Sequence, residues 1–550
     1  MIAEGLVFRA AVSFDSFFDQ VIRRNKGFVV YEGSIDNERG VKDPANQQNA
    51  NSILDNKRVF DMQFGVDYAR TFGKHDLNGR FFWNQNNYSG DGSTMPHTYQ
   101  GFMGRMNYVY NNRYIADLSF AYQGSEQISD NKQYVLFPAL SIGWIISEED
   151  FMKEGSSPVS FLKLRASHGL TGNDSGISYF QKMSFYERSG SYLIGDNLRS
   201  YGGYREGVFG DPDITAEKSR KSNLGLDSRF FSDKLSFSGD LFFENNTGII
   251  LGLNDVPGIL GARDMPRTNV GVVENKGFEV QLGYHGKING FEYGILSNLS
   301  YSKSKVIDMQ EQEYPFLHNY RTGYPIDAKF GYKSIGFFYD DTDITNSPSQ
   351  TFGPVRPGDL KYSDITGNGV VDIDDVSYIG KSWMPEYLYG ITLNLGYKGF
   401  DVNALVEGIA NTEKYINNYV YWEFTPNGTG KVMDHHLNRW AYYPESGVDT
   451  RGTATYPRLS LTGDQTNNKA PNSDFWLKDA SYTRLKSVEI GYSLPARTVS
   501  YLKLTKLRFY ATGYNLLTFD KIKVIDPEAP GGGNSYPIQR LINFGINVQF

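Results

Sequence analysis

The sequence predicts an all-β protein, a transmembrane antiparallel β-barrel, and three observations carry the prediction. Long segments alternate apolar and polar residues with a period of two, which puts one kind of side chain on each face of a strand. Tight turns and long polar stretches alternate between these segments, as in outer-membrane barrels with short periplasmic turns and long extracellular loops. The 550 residues include 39 Tyr and 37 Phe, yet only 40% are hydrophobic. That balance suits a polar lumen and aromatic girdles at two membrane interfaces better than a soluble core.

Taken in order, the first segment alternates through Leu6, Phe8, Ala10, Val12 and Phe14. The residues before it lack the basic start, apolar centre and small-residue cleavage site of a signal peptide, so the numbering is expected to begin inside a fold, shortened at its N-terminus. Phe60, Met62, Phe64, Val66 and Tyr68 share one face, a turn is expected at Gly73-Lys74-His75-Asp76, and Leu77, Phe81 and Trp83 return. Phe102, Met106, Tyr108 and Tyr110 lead to a turn at Asn111-Asn112-Arg113, then Ala116, Leu118, Phe120 and Tyr122. Further pairs are read at 217–247, 274–303, 387–410 and 479–517, with turns near Ser232-Asp233, Lys287-Ile288-Asn289 and Lys398-Gly399. Ser147-Glu148-Glu149-Asp150 reads as a short helix capped by Ser147. The last segment places Phe544, Ile546, Val548 and Phe550 on one face, an apolar edge that a closed wall in a bilayer tolerates and a soluble domain avoids. The count is about 16 strands in one domain, residues 1–550. Long extracellular loops are expected at 19–58, 172–216, 248–273, 304–386, 411–478 and 518–536.

Bulk properties exclude several classes. No run reaches the roughly 18 apolar residues of a membrane helix. A net charge of −7 without a basic block argues against nucleic-acid binding, and zero cysteines exclude disulfides and thiolate chemistry. No G-x-S-x-G, H-E-x-x-H or P-loop pattern appears, so the chain does not read as an enzyme. The adjacent pair His435-His436 lacks the spacing of a helical metal pair.

One segment has the pattern of a hard-cation loop. Asp364, Thr366, Asn368, the Val370 carbonyl, Asp372 and Asp375 supply oxygens at the spacing of an EF-hand-type loop, with Gly369 at its sharp turn. Structural Ca2+ at 364–375 is the reading, against a turn that holds itself by side-chain to backbone bonds. Tyr201, Tyr204, Tyr421 and Trp422 fall in expected extracellular loops, where aromatic faces could grip a ligand or pack loop on loop.

Several segments resemble the SusC/RagA type of TonB-dependent outer-membrane transporter. They are Phe161-Leu-Lys-Leu-Arg-Ala-Ser-His-Gly-Leu-Thr-Gly-Asn173, Val273-Glu-Asn-Lys-Gly-Phe-Glu279 and Gly358-Asp-Leu-Lys-Tyr-Ser-Asp-Ile-Thr-Gly-Asn-Gly369, followed by Asp479-Ala-Ser-Tyr-Thr-Arg-Leu-Lys486, Gly513-Tyr-Asn-Leu-Leu-Thr-Phe519 and Asp526-Pro-Glu528. The resemblance spans essentially the whole chain. It implies part of a barrel of about 22 strands, with a plug and a SusD-like lipoprotein lid. It further implies oligosaccharide or peptide import, energised by TonB–ExbB–ExbD through a plug segment outside this sequence. A passive porin or structural outer-membrane barrel is the rival reading.

Overall fold

A computed structural model describes the chain from residue 4 onward except for 26–30, 35–36, 41–48, 91–94, 154–156, parts of 254–264, 418–419, 426–429, 462–465 and 530–535. Sixteen strands follow one another in a single hydrogen-bonded order. They are β1 Leu6–Asn25, β2 Asn49–Phe72, β3 His75–Ser89, β4 His97–Tyr110, β5 Tyr114–Ser125, β6 Tyr134–Ile145, β7 Val159–Asn173 and β8 Glu217–Phe230. The second half comprises β9 Leu235–Gly252, β10 Arg267–Ile288, β11 Phe291–Asp308, β12 Tyr387–Tyr397, β13 Phe400–Ala410, β14 Tyr482–Ser493, β15 Lys506–Asp520 and β16 Leu541–Gln549. The chain divides into two compact units, Met1–Ile142 with Gly169–Lys218 and Ala262–Asn269, and Gly143–His168 with Ser219–Gly261 and Val270–Phe550.

In the first unit, β1 pairs antiparallel with β2 from Leu6↔Tyr68 to Asn25↔Asn49, and β2 to β5 pair in succession. One face carries Phe64 stacked on Trp83 at 6.0 Å and Phe81 on Phe102 at 5.9 Å. Phe8, Phe64, Phe81, Met106 and Leu118 stand exposed along it. Covering such a side chain is worth about 1.5–3 kcal/mol, which a hydrocarbon bilayer supplies. The opposite face carries ions: Arg80 meets Asp67 at 2.9 Å and Arg105 meets Asp117 at 2.8 Å.

The second unit repeats this two-faced design. Phe278, Val280 and Leu282 of β10 pair with Tyr301, Leu299 and Ser297 of β11 on the apolar side. Ile391 and Leu393 continue that side opposite Val406 and Ala404. On the other side Arg508 reaches Asp401 and Glu489, and Lys486 reaches Glu407 at 2.7 Å. Two tight turns have the positive φ at both central residues that right-twisted hairpins require: Asn289-Gly290 at 49° and 82°, and Lys398-Gly399 at 48° and 90°.

Four expectations need correction. The turn expected to start at Gly73 closes one residue pair sooner, because His75 already pairs with Phe72. The turn expected at Lys287-Ile288-Asn289 is Asn289-Gly290, since Ile288 still pairs with Phe291 and glycine supplies the positive φ. The 19–58 loop is largely strand where described, with β1 and β2 running into it and Tyr31–Ser34 pairing with Asn37–Gly40; 26–30, 35–36 and 41–48 lie outside the described residues. Ser147 does not cap a helix. It lies inside a 3-10 turn, Ile146–Glu148, and the four-residue helix Asp150–Lys153 follows. Strands that reach Asn173, Gly252, Asp308 and Asp520 run into the expected connections 172–216, 248–273, 304–386 and 518–536, and the strand from Arg267 shortens 248–273 at its other end.

Candidate functional site

The two longest connections, 309–386 and 411–481, fold on each other. Short ladders tie Lys329–Gly331 to Ser377–Gly380, Ser334–Phe337 to Leu360–Tyr362, and Glu413–Tyr415 to Leu477–Asp479. Tyr332, Leu360, Tyr362, Val371, Tyr456 and Trp476 form a buried core, with Tyr421 and Trp422 packed against it. Trp476 is fully buried and donates Nε1–H to the Asn468 carbonyl at 2.8 Å. The loop polar groups are satisfied from within: Leu360 N–H donates to Asn468 Oδ1 at 2.7 Å, and Asn467 Nδ2 donates to the Leu360 carbonyl at 2.8 Å. Connections with this much internal satisfaction are a folded module rather than free loops.

An ion pair lies inside that module. Lys469 Nζ is 3.3 Å from Glu423 Oε1, and each side chain is 2% exposed. Glu423 also accepts from Tyr456 Oη–H at 2.7 Å and from Ser460 N–H at 3.1 Å. Beside it, His436 Nδ1 accepts Met433 N–H at 2.8 Å, and its Nε2 lies 3.1 Å from the Tyr421 carbonyl. An Nδ1 that accepts and an Nε2 that donates define the neutral imidazole. Burial, with His435 next, pushes the His436 pKa down to about 4.

The predicted site residues separate accordingly. Tyr421 and Trp422 pack against the module's core: Tyr421 stacks on His435 at 4.5 Å, and Tyr421 and Trp422 each meet Trp476 edge-on. Tyr201 and Tyr204 lie on a hairpin, Tyr186–Ile194 paired with Arg199–Glu206, and are 46% and 67% exposed. Tyr201 stacks on Tyr192 at 6.3 Å.

In the 364–375 segment the acid oxygens face their own backbone. Asp364 accepts from the N–H groups of Gly367 at 2.7 Å and Gly369 at 2.8 Å, bonds that hold its carboxyl below the usual range. Asp375 accepts from Ile365 at 2.8 Å, Thr366 at 3.0 Å and Asp372 at 3.0 Å. Asn368 accepts from Val370 and Asp372 from Asp374. Among the described residues no three His, Asp or Glu side chains converge as a metal-holding group. The donor set fits a self-capped turn, and a cation would have to share acceptors already engaged.

Segments far apart in the sequence meet at a second charged cluster. Arg484 of β14 is fully buried, donates to both Asp526 oxygens at 2.8 and 2.7 Å, and pairs with Glu528. Its Nε–H donates to Thr518 of β15 at 2.9 Å, and Tyr482 donates to Glu528. The sequence contained the signal in Asp526-Pro-Glu528 and the Tyr482-to-Lys486 run, but not that they touch. Nothing local marked the Glu423–Lys469 pair.

A two-faced ladder of long antiparallel strands, apolar outside and ionic on the other face, defines an integral outer-membrane β-barrel protein. The model of the family "TonB dependent receptor-like, beta-barrel" matches residues 6–516. The chain belongs to that family. It is 27% identical over 474 residues to a TonB-dependent receptor of Formosa agariphila, covering 81% of this chain and 45% of that protein. It is 26% identical over 464 residues to the TonB-dependent receptor SusC of Bacteroides thetaiotaomicron, covering 82% of this chain and 44% of that protein. The chain thus spans less than half the length of these relatives. In fold it is similar to a chain of the RagAB peptide transporter structure, with a TM-score of 0.75 at 20% identity, covering all of this chain and 60% of that one.

Proposed function

We propose that this barrel is the wall and loop module of an outer-membrane nutrient importer, taking up oligosaccharides or peptides with TonB-derived energy and a SusD-like lipoprotein lid. The observation that carries the reading is the family match over residues 6–516 on a sheet with one membrane-facing and one ionic face. The name of the SusC relative and the peptide-transporter structure of similar fold support import of a bulky nutrient. The test is deletion of the gene, and separately of tonB, followed by growth on single glycans and on peptide mixtures. Both deletions should abolish growth on the same nutrient. Uptake that persists without TonB, together with continuous ion conductance by the purified protein, would instead establish a passive pore.

A further inference from the structure

The first compact unit carries a groove on its membrane-facing side. It consists of two adjoining hollows of about 420 and 500 Å³ that share Val66 and Phe81. We propose that this groove is a phospholipid-binding site, with one acyl chain lying in the hollows and the phosphate held by Arg70.

The hollow nearer the turns exists because one row of the apolar face lacks a side chain. Tyr68 pairs with Gly79, Gly79 with Met106, and Met106 with Leu118. A Cβ on Gly79 would find only the Arg105 carbonyl, at 3.8 Å, so the space above its backbone is open. The wall beside it is fixed. Phe81 stacks on Phe102 at 5.9 Å and leans on Phe120 at 6.3 Å, while the Phe120 ring lies over Gly104. A pre-formed wall spares the ordering cost of binding.

The groove has the length of a single leaflet. From Leu77 to Trp83 on β3, six residue steps of about 3.4 Å span about 20 Å. A strand tilt of about 40° reduces this to about 15 Å along the membrane normal. That is half of a hydrocarbon core about 30 Å thick.

The polar end carries the matching charge. Arg70 shares the face of Leu77 and Tyr108, one row nearer the turns than Gly79. Glu4 pairs with it at 3.2 Å, the two side chains being 47% and 79% exposed. A water-exposed pair of that kind is weak, and Glu4 returns to water when a phosphate takes its place. Lys74 stands exposed in the adjoining turn, whereas Asp76 faces the other way and accepts from Thr71 at 3.2 Å. Around Arg70 the apolar face gives way to an interfacial belt: Phe72 stacks on His75 at 5.7 Å, and His75 lies 5.0 Å from Tyr110. Short turns mark the periplasmic rim, so the lipid belongs to the inner leaflet of the outer membrane.

The experiment uses the protein purified from the outer membrane in mild detergent and weighed intact by native mass spectrometry. It should carry one glycerophospholipid. After delipidation it should rebind palmitoyl-oleoyl phosphatidylethanolamine at least tenfold more tightly than the diacylglycerol with the same chains, and glycerophosphate should not displace the lipid. Gly79→Leu fills the open hollow and Arg70→Gln removes the charge; each should lower retention at least tenfold in a protein that still shows heat-modifiable migration of the folded barrel. Leu282→Phe, which adds bulk elsewhere on the membrane face, should leave retention unchanged. If Gly79→Leu fails to fold, Arg70→Gln at the exposed rim decides. No retained phospholipid in the wild type, retention unchanged in a folded Gly79→Leu or in Arg70→Gln, equal loss in Leu282→Phe, or diacylglycerol bound as tightly would overturn the proposal. A protein dimer in place of the lipid, dissociated by Gly79→Leu, would overturn it too. Nutrient uptake plays no part in the readout, so the importer reading stands or falls separately.

Discussion

Replacing Lys469 with Met removes one partner of an ion pair whose two side chains are each 2% exposed. Lys469 also donates to the Glu423 carbonyl at 2.9 Å, so the change leaves both a buried carboxylate and a carbonyl short of a donor. Breaking a buried pair from one side costs about 3–5 kcal/mol, because the stranded charge keeps its desolvation penalty. At about 1.4 kcal/mol per factor of ten, opening of the loop module becomes at least a hundredfold more frequent. Hydrogen exchange resolves this locally: amides of 360–362 and 467–476 should exchange faster, while those of β10 and β11 stay protected. Glu423→Gln in the same chain should recover about 1–3 kcal/mol, since the stranded charge is gone and Tyr456 keeps an acceptor. A Lys469→Met module within about 0.5 kcal/mol of wild type would refute the reasoning, as would a double variant no better than the single one.

Four further outcomes follow from the same geometry. His436 has a folded pKa of about 4 against an ordinary 6.5, so its contribution is complete above pH 6.5 and is lost as pH falls from there toward 4. Module protection, corrected for intrinsic exchange, should drop by about 2 kcal/mol between pH 7 and pH 5; a flat profile contradicts the neutral assignment. Asp375→Ala strips three backbone amides of their acceptor and should loosen the 364–375 turn by about 1–3 kcal/mol. Arg484→Met should release 521–529 to protease, because Asp526 and Glu528 lose their shared partner; an unchanged digestion pattern counts against that anchoring. Tyr204→Ser, on an exposed ring, should shift stability by less than about 0.5 kcal/mol, so any loss of nutrient binding it causes reports contact with ligand.

The wall was legible because its physics is local. Alternation at Phe60 to Tyr68 needs only the strand's period of two, and Asn111-Asn112 with φ of 52° and 55° is what turn-forming residues permit. Boundaries slipped where polarity rose before pairing ended, as at Asp19 to Asn25, because backbone pairing continues without an apolar face to announce it. The six-residue helix Ala496–Tyr501 passed unnoticed, since it buries little beyond Val499 and its start is marked only by Pro495. The loop module was illegible for a different reason. Tyr421 and Trp422 look like ligand grips in a polar stretch, and nothing in that stretch has a period that reveals Trp476 beside them. In the 364–375 segment, spacing alone cannot tell a cation from a backbone amide as the acid's partner.

The ladder also sets an order of construction. From β2 to β5 every strand pairs with its successor across a short connection, so each hairpin can form as soon as its second strand is available. The loop module is built otherwise: Gln350 bonds Asn467, 117 residues on, and Ser334 bonds Asp474, 140 residues on. Closing such spans carries a larger entropic cost before any contact rewards it, and topology of that kind folds slowly. The β2 to β5 part of the wall is therefore expected to form hairpin by hairpin ahead of the module, which closes over the longer spans. During that interval Trp476 and Tyr456 are bare on the long-loop side, the stage at which assembly is most exposed to aggregation.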